Sequence, residues 1–323
     1  MRGRQVALPN RLDGSWWNSR ELTVTGGAGF LGSAVVRAAE AVGATVRVLR
    51  RAEHDLRDPA AAVTALAGSD LVAHLAADVG GIGYNARRPG QICHANLLIG
   101  ANVFEAARLG GARSMVAVGT ACSYPAETEP PFREVDLWSG YPEGANAPYA
   151  IAKKMLQVLS DGYRREYGFD SSVPILTNLY GPGDNYDPED SHVVAAMIAR
   201  FCDAVGGGAN SITLWGSGAP SRDLLHVDDA ARGVLLCLQR APGSEPINLS
   251  SGRETTIREL AELVAAATDF EGRIDWDPER PDGQIRRSLH PGEAIERLGF
   301  AATIGLRDGI AATVEAFRNG SSG

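Results

Sequence analysis

The sequence predicts an α/β chain: a Rossmann-type, doubly wound parallel sheet with a smaller, mostly C-terminal α/β lobe for substrate. Three observations predict it. Short apolar segments rich in β-branched residues alternate with segments of helical spacing through the first half of the chain. The first such strand runs into Gly26-Gly27-Ala28-Gly29-Phe30-Leu31-Gly32, a glycine-rich turn that opens a helix. From about residue 184 the alternation gives way to helices joined by Gly/Pro-rich loops.

The elements follow in order. Residues 22–25 are short and apolar and end at the glycine turn, which makes them the first strand. Residues 30–42 have helical spacing, 44–49 read as the second strand, 58–67 as a helix and 71–75 as the third strand. A long helix spans 91–109, a fourth strand 114–118, a second long helix 149–167 and a strand 172–176. Strands that alternate with helices imply a parallel sheet covered on both faces. Further on, 192–205, 227–239 and 257–267 read as helices, 211–215 and 247–249 as strands, and 206–208 and 278–283 as loops. The expected division is a dinucleotide-binding domain over 21–183 and roughly 224–252, and a substrate lobe over roughly 184–223 and 253–317. Residues 1–20 form an extension whose Trp16 and Trp17 pack on the domain, and 318–323 form a flexible tail.

Composition bounds the function. At 323 residues and 44% hydrophobic, the chain has room for one large or two unequal domains. A formal charge of −8 argues against a nucleic-acid partner. Cys93, Cys122, Cys202 and Cys237 show neither CxxC nor zinc-ligand spacing, so no metal is expected, and scattered thiols suit the cytoplasm. No apolar run approaches the roughly 20 residues that span a bilayer. Four arginines and no apolar stretch in the first 20 residues rule out reading them as a secretory leader.

The chemistry lies in a few segments. Gly26 permits a tight turn, Gly29 lets the backbone approach a pyrophosphate, and Gly32 lets the helix opened by Phe30 and Leu31 pack close. Arg50 and Arg51 end the second strand where the adenosine ribose would lie. Arginine there suits a 2′-phosphate and favours NADP over NAD, although both also read as solvated surface residues. Asp55 and Leu56 are candidate adenine-side contacts. Leu75, Ala76 and Ala77 end the third strand beside the cofactor, the alanines leaving room for ribose and pyrophosphate.

Downstream, Tyr149 and Lys153 share a helix face. An ammonium beside a phenol lowers the phenol's pKa and can bond a nicotinamide ribose. The phenol can then pass a proton to a substrate oxygen while hydride moves at the neighbouring carbon. Thr120 and Ser123, after the fourth strand, are hydroxyls able to hold that oxygen. Cys122 is either a base for a proton beside a carbonyl or a small buried side chain. His192 can donate a proton from the opposite side or serve structure. Trp215 can stack and Arg222 can hold a phosphate, so a nucleotide diphosphate is the natural ligand.

Several stretches carry a family resemblance: His74-Leu-Ala-Ala77 with Val79-Gly-Gly-Ile82 and Asn85, Cys122 with Tyr124-Pro125, and Asn146 with Pro148-Tyr149-Ala-Ile-Ala-Lys153. Thr177-Asn-Leu-Tyr-Gly-Pro182, Asp184-Asn185, Ser191-His192-Val193, Trp215-Gly-Ser-Gly218, Leu225-His-Val-Asp-Asp229 and Pro281-Asp-Gly283 continue it. Together they resemble the extended short-chain dehydrogenases of the NAD-dependent epimerase/dehydratase family. Within it, they resemble the subgroup that epimerises and reduces GDP-4-keto-6-deoxyhexoses. The resemblance implies that Tyr149 is the proton donor, Lys153 its ribose-binding partner and Thr120 the holder of the keto oxygen. It implies Cys122 as epimerisation base and His192 as acid. It implies that Asn178, Arg200, Trp215 and Arg222 grip the nucleotide diphosphate, and that the chain forms a homodimer through its two long helices.

The chain also departs from the subgroup. Gly27-Ala28 stands where His-Arg is usual, Thr120 replaces Ser, Asp78 replaces Lys and His290 replaces Asp. Two rival readings share the motifs: an epimerase without net redox change that holds NAD(H) tightly, and a non-catalytic cofactor-binding protein. Net loss of NADPH on turnover separates the first rival, and the intact Tyr149/Lys153 pair weighs against the second.

Overall fold

Apolar strand residues with polar turns at their ends build a parallel sheet here. The structure, a computed structural model, describes residues 8–320 except 81, 188–190, 242 and 281. Residues 1–7 of the extension, 321–323 of the tail, Gly81 and Pro281 therefore lie outside the described residues.

Strands β1 (Glu21–Thr25), β2 (Thr45–Leu49), β3 (Leu71–His74), β4 (Ser114–Ala117) and β6 (Asp170–Ser172) pair in the order β2-β1-β3-β4-β6, every pair parallel. A parallel sheet buries both faces, and residues 22–25 of β1 and all four residues of β3 are accordingly buried. Helix α2 (Phe30–Ala41) packs with α8 (Val227–Arg240) on one face. Helices α3 (Pro59–Leu66), α5 (Pro89–Leu109) and α6 (Ala147–Tyr167) pack together on the other. Two apolar cores result, one around Leu22, Val35, Val234 and Leu249, the other around Leu66, Phe104, Met115 and Leu156.

The segment 172–176, read as one strand, is two. Val173 interrupts it: β6 closes the first sheet, while β7 (Pro174–Leu176) pairs with β5 (Gly119–Thr120) and β11 (Ile247–Leu249). Val118 interrupts the neighbouring chain between β4 and β5 at the matching level. Both chains thus change ladders together, and the turn after β5 emerges beside α6.

A third core gathers α7 (Val193–Gly206), β9 (Ser211–Trp215), α9 (Ile257–Ala267) and α10 (Leu306–Arg318) around Ile198, Phe201, Leu260, Val264 and Ile310. Strand β10 (Ser221–His226) joins β8 (Asn178–Tyr180), β12 (Glu254–Thr256) and β14 (Arg286–Arg287). Sequence reading passed over α10, although Leu306, Ile310, Val314 and Phe317 have helical spacing. Ala294, Leu298 and Phe300 pack into the first core.

Before β1, the short helix α1 (Gly14–Trp17) is capped by Asp13, which accepts from the Ser15 N–H. Trp17 is fully buried in the first core, and the Arg20 guanidinium lies 4.2 Å over the Trp16 ring.

Candidate active site

The glycine turn is shaped by contacts that no side chain could share. A Cβ on Gly32 would stand 2.0 Å from the Gly26 carbonyl oxygen, and one on Gly26 would stand 2.8 Å from the Ala76 nitrogen. Gly26 also has φ +71°, a left-handed conformation. Gly29 caps α2 without any side chain, so the first N–H groups of that helix remain available to an anion. This cradle fits a dinucleotide pyrophosphate.

Below it, Thr25 Oγ1 accepts from the Leu75 and Ala76 N–H groups, both at 3.2 Å, and lies 2.8 Å from His74 Nδ1. With two donors already arriving, the hydroxyl proton goes to Nδ1, which leaves the His74 proton on Nε2. Burial first and the Lys153 charge second pull the His74 pKa down to about 3, so the ring stays neutral.

At the end of β2, Arg50 and Arg51 are exposed, and neither side chain has a hydrogen-bond partner among the described residues. Asp55 is already held by Arg57, whose Nε lies 2.9 Å from Oδ1 and whose Nη2 lies 2.5 Å from Oδ2. That hydrogen bonding pulls the Asp55 pKa down to about 2. Leu56 is buried, and Asn102 Nδ2 donates to its carbonyl oxygen.

The catalytic candidates converge where β5 meets α6. Thr120 caps the turn Ala121–Ser123, its Oγ1 accepting from the Cys122 N–H at 3.3 Å, which leaves its proton free to donate. Ser123 Oγ is buried and donates to the Ala150 carbonyl oxygen, so it ties the turn to α6 instead of facing substrate. Tyr149 and Lys153 lie one turn apart on α6. Burial pushes the Tyr149 phenol up, and the nearby Cys122 thiol pushes it further. This corrects the expectation that Lys153 lowers it: desolvation dominates, and burial pulls Lys153 itself down to about 8.

Around the thiol stand residues that sequence reading missed. Arg287 Nη1 donates to Cys122 Sγ at 3.3 Å, Arg287 Nη2 to Glu143 Oε2 at 3.1 Å, and Arg287 Nε to Gln284 Oε1 at 2.7 Å. Arg222 Nη1 donates to the carbonyl oxygens of Ser221 and Gln284. Burial first, then Arg287, pulls the Arg222 pKa down to about 10, so two guanidiniums share this cleft. No motif or spacing marks Arg287 in the sequence, and its 165-residue separation from Cys122 hid the contact.

Other predicted residues lie outside this cluster. His192 caps α7 with its backbone. Its side chain is exposed at one edge, while surrounding protein still holds its imidazole below the usual pKa. It shares no hydrogen bond with Cys122 or Tyr149. Asn178 Nδ2 reaches the Asp223 carbonyl oxygen at 3.4 Å, and Arg200 Nη2 donates to the Thr213 carbonyl oxygen. Trp215 is 66% exposed, with the Arg280 guanidinium 5.1 Å over its ring.

A parallel sheet with a dinucleotide turn, and a Tyr/Lys pair on the helix beside it, define an enzyme of the short-chain dehydrogenase class. The model of the NAD dependent epimerase/dehydratase family matches residues 22–250, and the chain belongs to that family. GDP-L-fucose synthase 1 of Arabidopsis thaliana is 39% identical over 300 residues, 92% of this chain and 93% of that protein. GDP-L-fucose synthase of Escherichia coli (strain K12) is 36% identical over 312 residues, 93% of this chain and 97% of that one. The solved structure of a GDP-L-fucose synthetase from Naegleria fowleri bound to NADP superposes with a TM-score of 0.86 at 27% identity, covering 98% of each chain.

Proposed function

We propose that this chain epimerises a GDP-4-keto-6-deoxyhexose at C3 and C5 and reduces it at C4 with NADPH, the activity of a GDP-L-fucose synthase. The observation that carries the reading is the turn after β5, which carries Cys122 and is tied by Ser123 Oγ to the Ala150 carbonyl oxygen on α6, beside Tyr149. A simple ketoreductase needs the Tyr/Lys pair alone; a thiol in the same cleft adds a base for carbon acids.

The 4-keto group acidifies the hydrogens at C3 and C5. Cys122 removes one, the electron pair passes into an enolate, and His192 returns a proton from the other face. Thr120 donates its hydroxyl proton to the 4-oxygen. Tyr149, kept protonated by burial, delivers its proton there during reduction. Arg222 holds the diphosphate side of the cleft, with Asn178, Arg200 and Trp215 further out along the nucleotide. Gly26, Gly29 and Gly32 cradle the dinucleotide, Arg50 and Arg51 face its 2′-phosphate, and Lys153 bonds its ribose. When bound, that cofactor supplies a hydride at C4.

We further infer that 21–183 with roughly 224–252 holds the cofactor and that 184–223 with 253–317 holds the nucleotide sugar. The segregation of the third apolar core from the first two supports this. A homodimer through α5 and α6 is supported by the exposed Leu97, Leu109, Met155, Val158 and Tyr167 on those helices. The four free cysteines are in keeping with a cytoplasmic location.

The test is incubation with GDP-4-keto-6-deoxy-mannose in D₂O, with and without NADPH, read by NMR and mass spectrometry. Deuterium at C3 and C5 together with NADPH loss is expected. Cys122→Ser should nearly stop the exchange while reduction at C4 persists, and His192→Asn should impair reprotonation. Normal exchange in Cys122→Ser would leave a simple 4-ketoreductase with a structural thiol.

A further inference from the structure

The contact between Arg287 and Cys122 joins residues 165 positions apart in sequence and has no part in the proton transfers above. Arg287 comes from β14, at the edge of the sheet built on β10. Cys122 comes from the turn after β5. The Arg287 side chain is 14% exposed, and each of its three nitrogens has a partner of a different kind. Nε meets the Gln284 amide oxygen, Nη2 meets the Glu143 carboxylate and Nη1 meets the sulfur. Glu143 Oε2 also accepts from Asn146 Nδ2 at 3.3 Å, and Asn146 is the N-cap of α6, the helix that carries Tyr149 and Lys153. A planar guanidinium fixed at two corners has its third aimed by geometry. Here the third corner faces the sulfur.

We propose that Arg287 is a catalytic residue of the proton-abstraction step: its Nη1 holds Cys122 Sγ in place and faces the negative charge on the sulfur, while Glu143 and Gln284 fix the guanidinium plane. This rests on reading Cys122 as the epimerisation base. The thiolate sulfur takes the sugar's proton, the S–H bond forms, the C–H bond breaks, and the electron pair moves into the enolate and onto the 4-oxygen. Arg287 therefore faces a charged sulfur before the step and a neutral thiol after it. An Arg287 that only gripped the diphosphate beside Arg222 would act on substrate affinity alone.

The experiment compares full-length parent, Arg287→Ala, Arg287→Lys and Cys122→Ser proteins in two assays. One follows alkylation of Cys122 by iodoacetamide in the ligand-free protein at fixed pH, read by peptide mass spectrometry. The other follows deuterium entry into GDP-4-keto-6-deoxy-mannose, resolved into kcat and KM. Arg287→Ala is expected to slow alkylation and the exchange kcat by about tenfold or more, with KM within about twofold. Added methylguanidine should restore part of both rates, and Arg287→Lys should keep more of both than Arg287→Ala. Rescue by a small cation separates this role from a folding defect. A raised KM with unchanged kcat and unchanged alkylation would overturn the proposal, as would parent rates in both assays. If Cys122→Ser abolishes exchange while alkylation ignores Arg287, only the role of Arg287 falls. If Cys122→Ser exchanges at the parent rate, the base itself is lost, and this role with it.

Discussion

Tyr149 and Lys153 stand one turn apart on α6, and burial moves their charges in ways that suit different tasks. The phenol is pushed up, so it carries its proton at neutral pH and can give it. Tyr149→Phe is expected to lower 4-keto reduction by ~10²–10⁴-fold, while dinucleotide affinity, followed by NADPH fluorescence, survives. The ammonium of Lys153 is pulled down from 10.5 to about 8 by burial. Below about 8 both folded and unfolded chains hold that proton, and folding bears the full cost of burying the charge. Between 8 and 10.5 the unfolded chain binds more protons, so the ligand-free protein gains stability as pH rises. The shift corresponds to about 3 kcal/mol. Lys153→Met should therefore be more stable than the parent at pH 7, and the gap should shrink towards zero by pH 10.5 in denaturant unfolding. A gap independent of pH would refute this account of Lys153. At the far end of the cofactor site, replacing Arg50 and Arg51 by Ala should raise the Kd for NADPH far more than that for NADH. A lost charge-assisted phosphate contact costs about 1.5–3 kcal/mol. Equal losses in calorimetric titrations would remove the case for the 2′-phosphate.

At the scale of elements, the first βα unit is set by how closely α2 approaches β1. A Cβ on Gly32 would meet the Gly26 carbonyl oxygen at 2.0 Å, a backbone atom that cannot swing aside. Gly32→Ala is expected to destabilise the fold by about 1–3 kcal/mol and to weaken dinucleotide binding sharply, because the turn must open. Chemical unfolding and a fluorescence titration check both parts, and parent-like values would contradict this view of the turn. The long helices were legible because their apolar spacing repeats over many turns: α6, α7 and α9 begin and end within about two residues of the expected positions. The strand at 172–176 was legible as extended chain. Its change of ladder at Val173 was not, because Val118 on the neighbouring chain shifts with it and sequence spacing carries no register.

Across the whole molecule, α5 and α6 lie side by side and leave Leu97, Leu109, Met155, Val158 and Tyr167 exposed. The proposed homodimer would cover these apolar side chains symmetrically. Light scattering after size exclusion should report a dimer for the parent and a monomer for Val158→Glu, and a monomeric parent would refute the homodimer. The sequence by itself determined the parallel α/β architecture, the glycine cradle and the Tyr149/Lys153 pair. Each of these is written in short-range spacing: strand runs, a turn and two side chains on one helix face. Only the tertiary structure decided what surrounds Cys122 and how burial sets the charges in the cleft. Arg287, Glu143 and Gln284 come from loops and an edge strand whose residues have no periodicity. Desolvation of Tyr149 and Lys153 depends on packing from elements far away in the chain, and at this site it outweighs the pairwise attraction that their spacing suggests.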